Sequence, residues 1–205
     1  MLFLLYTYSD YFSKKELGEI IKVLSPYQQK SYYGSLLQSM LYEYELRETQ
    51  MGFGIPPFYS IDLKNNQFEF PSFKEKQIAV LDFWASWCLP CREDSKQLKD
   101  LYKKFAGKGL EIVSVSLDED ARNWQAAVKE DSIGSWIHIL SSKTWNTKGI
   151  KTNLTRQLKI PGIPTYFIVN PTGKIVLRAE NIEELYQFVE DFFKRYSKIH
   201  PHSFQ

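Results

Sequence analysis

Cysteine is scarce in this sequence, at two among 205 residues, and there are only three histidines and three methionines. Two thiols allow a single intramolecular disulfide, which excludes the multi-bridge framework that staples small secreted domains. A structural zinc takes four ligands, and no histidine pattern completes a set with the two cysteines, so no metal is expected. Charge of one sign is lacking too. The 26 Lys+Arg face 24 Asp+Glu for a formal net charge of +2, and without a basic stripe nucleic acid is not an expected partner. No apolar stretch approaches the ~20 residues of a membrane span. The apolar opening MLFLLYTY has no basic flank and runs into SDYFSKK instead of a small-x-small cleavage site, so it does not read as a signal peptide. Such a chain is either cytoplasmic or the C-terminal part of a longer exported protein. What is present in quantity is apolar bulk, 43% of residues with 16% aromatic, enough for one substantial core with length left for an appendage.

The pattern divides the chain into a helical segment over 1–51, an α/β domain over 52–198 and a polar tail over 199–205. In the first part Leu17, Ile20, Ile21 and Leu24 recur at helical spacing after Ser13, a fitting N-cap, and a second run carries Leu36, Leu37, Met40 and Leu41. Gly52, Gly54, Pro56 and Pro57 then break the periodicity. FYSIDL and QFEF around Lys64-Asn65-Asn66 predict a hairpin, and QIAVLDFW and LEIVSVSL predict buried strands. Helices are expected after Cys88, over 121–131, over about 147–159 and from Ile182 to Tyr196. IHIL is expected to be a short strand with His138 as an ordinary strand residue, and TYFIVN with KIVLRA a second hairpin. Asp118, Glu119 and Asp120 lack the glycine and distal glutamate of a calcium loop and read as a solvated strand-to-helix turn.

Both cysteines fall in one stretch, FWASWCLPC, from Phe83 to Cys91. A bond across two intervening residues closes so short a loop that it constrains the unfolded chain little and makes a poor staple. The stretch joins a buried strand to a helix, which puts Cys88 at the first turn, where unpaired N–H groups and the helix dipole favour an anion. A thiolate there has a lowered pKa and is the attacking species in disulfide exchange. Pro90 suits an early helical position. Cys88 is therefore the candidate nucleophile and Cys91 the resolving thiol. Asp82 interrupts an apolar strand six residues earlier. It either faces water or is a buried acid of raised pKa that takes the proton of Cys91. Ile163-Pro164 opens a later strand, as an edge proline or as a cis bond that turns the Ile163 backbone outward to pair with an extended substrate. Trp84 is expected in the core and Trp87 partly exposed. The expected substrate surface comprises Trp87, Leu89, Pro90, Ile163 and Thr165.

With these residues in place, FWASWCLPC, Asp82 and IPT at 163–165 are similar to the thioredoxin fold, and residues 52–198 resemble its TlpA/ResA-like branch. The hairpin before the first long strand, the inserted segment around 133–160 and VNPTGKIV carry that likeness. Residues 1–51 resemble the linker of exported thiol:disulfide interchange proteins of the Bacteroidetes type. The resemblance implies a central mixed sheet with helices on both faces and an extra N-terminal hairpin. It also implies a cofactor-free oxidoreductase acting on disulfide-containing proteins in the periplasm or cell envelope, usually as a reductant fed by a membrane-bound relay. It supports Cys88, Cys91, Asp82 and a cis Pro164 as the catalytic set. Two departures leave the potential open: Leu-Pro between the cysteines, and Asp94 and Lys96 where a glutamate and a proline are common. The alternatives are a non-catalytic binding module that uses the N-terminal helices or the aromatic surface, and a peroxidase. The latter's PxxxT/SxxC approach to the cysteine is missing.

Overall fold

The computed structural model describes residues 1–9, 12–50, 52–73 and 75–199; His200 and His202, and with them nearly all of the expected polar tail, lie outside the described residues. The chain divides into two compact units, residues 1–51 and 52–205. The first contains α1 (Leu2–Thr7), α2 (Lys14–Val23), α3 (Pro26–Gln29) and α4 (Tyr32–Gln50). Ser13 caps α2 through a reciprocal pair: its hydroxyl accepts from the Glu16 N–H while the Glu16 carboxylate accepts from the Ser13 N–H. Ser25 repeats the device with Gln28 at the start of α3. Leu17, Ile21, Leu24 and Leu37 form the unit's own buried cluster, as their spacing along α2 and α4 requires.

The second unit contains β1 (Phe58–Asp62), β2 (Gln67–Phe70), β3 (Ile78–Trp84), α5 (Leu89–Phe105), β4 (Leu110–Ser116), α6 (Ala121–Glu130), β5 (Ile137–Asn146), α7 (Leu154–Gln157), β6 (Thr165–Val169), β7 (Ile175–Ala179) and α8 (Ile182–Ile199). Among the described residues the sheet has seven strands in the order β2-β1-β5-β4-β3-β6-β7. Neighbours β3, β4 and β5 run parallel, and the outer pairings are antiparallel. Every residue of β3 is buried, because both faces of the sheet are covered. Val80 and Trp84 point into a cluster with Cys88, Cys91 and Leu98 of α5, Trp124 of α6 and Leu185 of α8. Ala79, Leu81 and Phe83 point into the opposite cluster with Phe58, Phe70, Leu154 and Phe167. Gly109, at φ 101°, turns the chain from α5 into β4. A Cβ there would lie 2.7 Å from Gln77 Cγ and 3.1 Å from its backbone nitrogen, so a side chain is excluded on both counts.

Two expectations need correction. The strand expected over IHIL extends to Asn146, because its second half pairs with β1, Tyr59 opposite Trp145 and Ser60 opposite Thr144. The helix expected over 147–159 shrinks to α7. The Asn146 side chain accepts from the N–H groups of Lys148 and Ile150, Gly149 takes φ 73°, and Trp145 bridges to Lys151; this closes a turn that a helix cannot contain.

Candidate active site

The end of β3, the start of α5 and the segment entering β6 bring the chemistry-bearing residues together. Cys88 and Cys91 are joined as a disulfide. Cys88 is the N-cap of α5, and its sulfur accepts from the Cys91 N–H at 3.3 Å. Pro90 occupies the first turn, where its missing N–H costs no hydrogen bond. Around the bond the surface is apolar and open: Trp87 is 68% exposed and Leu89 69%, while Cys88 is 5% exposed. Ile163–Pro164 is a cis peptide, and the Ile163 carbonyl oxygen lies 3.9 Å from Cys88 Sγ. An oxidised sulfur carries no hydrogen, so that distance is proximity, not a hydrogen bond. Ile163 and Pro164 are half-buried. Thr165 is turned inward: it is 1% exposed and its hydroxyl donates to the Gly162 carbonyl at 2.7 Å. Its side chain shapes the turn and does not stand on the substrate surface expected for it. Trp84 is buried in the core.

Asp82 does not face water. It is buried at 5% exposure, on the sheet face that packs against α5, since it alternates with Val80 and Trp84. Burial pushes its carboxyl up to about 7, a hydrogen bond donated by Ser114 opposes this, and the charge of Asp94 adds to it. Asp94, one turn along α5 from Cys91, is also held above the usual range, chiefly by burial, although the Tyr166 hydroxyl donates to it at 2.7 Å. Burial and the neighbouring Asp82 charge hold the Tyr166 phenol protonated.

Four polar residues were not assigned to the site from the sequence: Asp118, Ser86, Ser116 and Ser114. Asp118, expected in a solvated turn, is 3% exposed. Its carboxylate accepts from the Ser86 N–H (2.9 Å), the Ser86 hydroxyl (2.6 Å) and the Ser116 hydroxyl (2.6 Å), and these donors are what permit its burial. It thereby ties β4 to the turn two residues before Cys88. Ser114 donates to Asp82 at 2.7 Å. The available signal was periodic: Ser114 and Ser116 alternate with valines in a strand whose every other residue is apolar or half-buried. Among the described residues no group of His, Cys, Asp and Glu is placed to hold a metal ion.

Residues 76–175 match the family model described as thioredoxin-like. The chain is similar to the thioredoxin domain of a thiol-disulfide oxidoreductase from Bacteroides vulgatus, at 32% identity with a TM-score of 0.60, covering 69% of this chain and 96% of that one. It resembles a thiol:disulfide interchange protein from Bacteroides sp., at 29% identity and a TM-score of 0.60, over 76% of this chain and 97% of that one. It is also 28% identical to the thiol-disulfide oxidoreductase ResA of Bacillus thuringiensis subsp. konkukian, over 74% of this chain and 83% of the relative.

Proposed function

The chain belongs to the thioredoxin-like thiol-disulfide oxidoreductases, and from that premise we propose that Cys88 attacks, Cys91 resolves and Asp82 moves the proton between them and solvent. The observation that carries this division of labour is the cap of α5. The Cys88 sulfur sits where the Cys91 N–H and the helix dipole stabilise negative charge, whereas Cys91 is inside the first turn and 3% exposed.

In the reduced enzyme the Cys88 thiolate attacks one sulfur of a substrate disulfide. A Cys88–substrate bond forms, the substrate S–S bond breaks, and the departing substrate sulfur leaves as a thiolate. Asp82 as carboxylate takes the Cys91 proton. The Cys91 thiolate attacks Cys88 Sγ, the enzyme disulfide forms, and the second substrate thiolate departs. Two electrons pass from enzyme to substrate, and protons from Asp82 and water complete the two substrate thiols. A base with a midpoint of about 7 is matched to this task near neutral pH. The exposed rings and side chains of Trp87, Leu89 and Pro90, with the backbone at Ile163, supply the docking surface for an extended substrate segment.

On this reading the protein is a reductant of the cell envelope that takes electrons from a membrane-bound relay and delivers them to disulfide-containing proteins. No helix among the described residues is long and apolar enough to cross a membrane. A non-catalytic binding module is not favoured, since its relatives are named for thiol-disulfide exchange. The direction of electron flow is tested by the equilibrium potential of the Cys88–Cys91 couple against dithiothreitol, with free thiols trapped by alkylation. A value near or below roughly −250 mV is expected, and one near about −120 mV would make the protein a disulfide donor instead.

A further inference from the structure

On the sheet face under α5 a row of four polar side chains crosses from strand to strand, and one pleat later Ser116 stands between Trp84 and Leu140. Strand register places His138 of β5 opposite Ser114 of β4, Ser114 opposite Asp82 of β3, and Asp82 opposite Tyr166 of β6. All four are buried, at 1%, 0%, 5% and 0% exposure. One pleat earlier the same face reads Ile112, Val80 and Ile168. A directed chain of hydrogen bonds runs along part of this row. The Trp136 indole N–H donates to Ser114 Oγ at 2.9 Å, and the Ser114 hydroxyl donates to Asp82 Oδ2 at 2.7 Å. Trp136 is itself fixed by packing, stacked on His138 at 5.4 Å between centroids and leaning on Tyr102 of α5 at 5.5 Å. His138 Nε2 lies 2.8 Å from the Ile133 carbonyl, which makes that nitrogen the donor; burial holds the ring neutral down to about pH 4.

The direction of these bonds is not free. An indole N–H can only donate, so Ser114 Oγ receives there, and its single hydrogen is left for Asp82. A proton on Asp82 Oδ2 would make the oxygen that Ser114 donates to a much weaker acceptor, in a fully buried place where the serine hydrogen has no other acceptor. A proton on Oδ1 costs nothing of this kind. Among the described residues no neighbour donates a hydrogen bond to Asp82 Oδ1; the other titratable groups that bear on Asp82 are Asp94 from α5, Tyr166 from β6 and, through these two, Glu93 from α5 and Glu183 from α8.

We propose that Ser114, held from behind by Trp136, is a positioning residue that keeps Oδ2 of Asp82 as a permanent acceptor and leaves Oδ1 as the oxygen that gains and loses the proton. Ser114 touches neither sulfur and acts through Asp82; the proposal rests on Asp82 being the proton acceptor for Cys91. It supplies the ionised acid with a donor in a site where burial otherwise disfavours charge. A donor to a charged group is worth about 1.5–3 kcal/mol, which is about one to two pH units of midpoint.

The test is the carboxyl carbon NMR titration of Asp82 in the full-length oxidised protein, where neither cysteine titrates, with the signal assigned through Asp82→Asn. Ser114→Ala is expected to raise the midpoint by about one to two units. Trp136→Phe, which keeps a ring and removes the N–H, is expected to raise it by less. Ile112→Val, on the same strand and face, is the control and leaves it in place. An unmoved midpoint in Ser114→Ala overturns the proposal. If that variant does not fold, an unmoved midpoint in Trp136→Phe overturns it equally. The rate at which the mixed disulfide resolves separates this proposal from the reading beneath it. With a one-unit rise the rate at pH 7 falls about five-fold in Ser114→Ala and recovers at higher pH. A midpoint that moves while the pH profile of resolution stays fixed leaves Ser114 tuning the acid and removes Asp82 as the base.

Discussion

Asp82 has consequences for stability that can be separated from its chemistry. Unfolded, its carboxyl titrates near the ordinary value of 3.8, and folded near 7. Between these values the folded state binds more protons than the unfolded one, so its contribution falls as pH rises through that window and the full penalty is present above about 7. His138 slopes the other way. Its folded midpoint of about 4 lies below the ordinary 6.5, so the unfolded chain gains the proton first and stability is lost as pH falls from 6.5 to 4. Comparing the wild type with Asp82→Asn cancels the histidine. In urea titrations of the oxidised protein, Asp82→Asn is expected to be more stable by about 2–4 kcal/mol at pH 8, with the gain vanishing towards pH 4. A difference independent of pH would show that the acid is not held protonated by the fold.

At the scale of elements, the redox turn is fixed from the neighbouring strand. Asp118, two residues past the end of β4, binds both the backbone and the side chain of Ser86, so the turn between β3 and α5 is held independently of the disulfide. Asp118→Ala strips a buried N–H and two hydroxyls of their charged acceptor and is expected to cost about 2–3 kcal/mol in chemical denaturation. The exposed neighbour substitution Glu119→Ala is expected to change stability by less than about 0.5 kcal/mol. Equal effects at both positions would contradict this anchoring. These elements also mark the limit of what the sequence makes legible. The buried run of β3, the alternation around Asn65 and the capping serine at 13 are written in residues within a few positions of one another, and each element lies where the pattern puts it. Ser114 and Asp118 take their meaning from strand register and from partners 32 residues away, which no local pattern contains. The length of β5 depends likewise on its pairing with β1, and the turn at Asn146–Gly149 overrides the helical pattern that follows.

For the whole molecule, the cysteine pair lies in the second unit, where the ends of β3 and β6 meet the start of α5, and Trp87 and Leu89 face outward beside it. Residues 1–51 carry their own small core and none of the residues assigned to the exchange reaction. The face under α5 serves two purposes at once: its apolar side chains hold α5, α6 and α8 to the sheet, and the polar row through Asp82 tunes the acid. The central claim, that Cys88 attacks and Cys91 resolves, is tested most directly by trapping. The full chain carrying Cys91→Ser, reduced and then exposed to a disulfide-containing substrate such as oxidised insulin, is run without reductant beside the Cys88→Ser chain. Covalent enzyme–substrate adducts that dissolve with dithiothreitol are expected from Cys91→Ser, and none from Cys88→Ser. Adducts from Cys88→Ser alone would reverse the two roles, and full insulin reduction by either variant would contradict the two-cysteine mechanism.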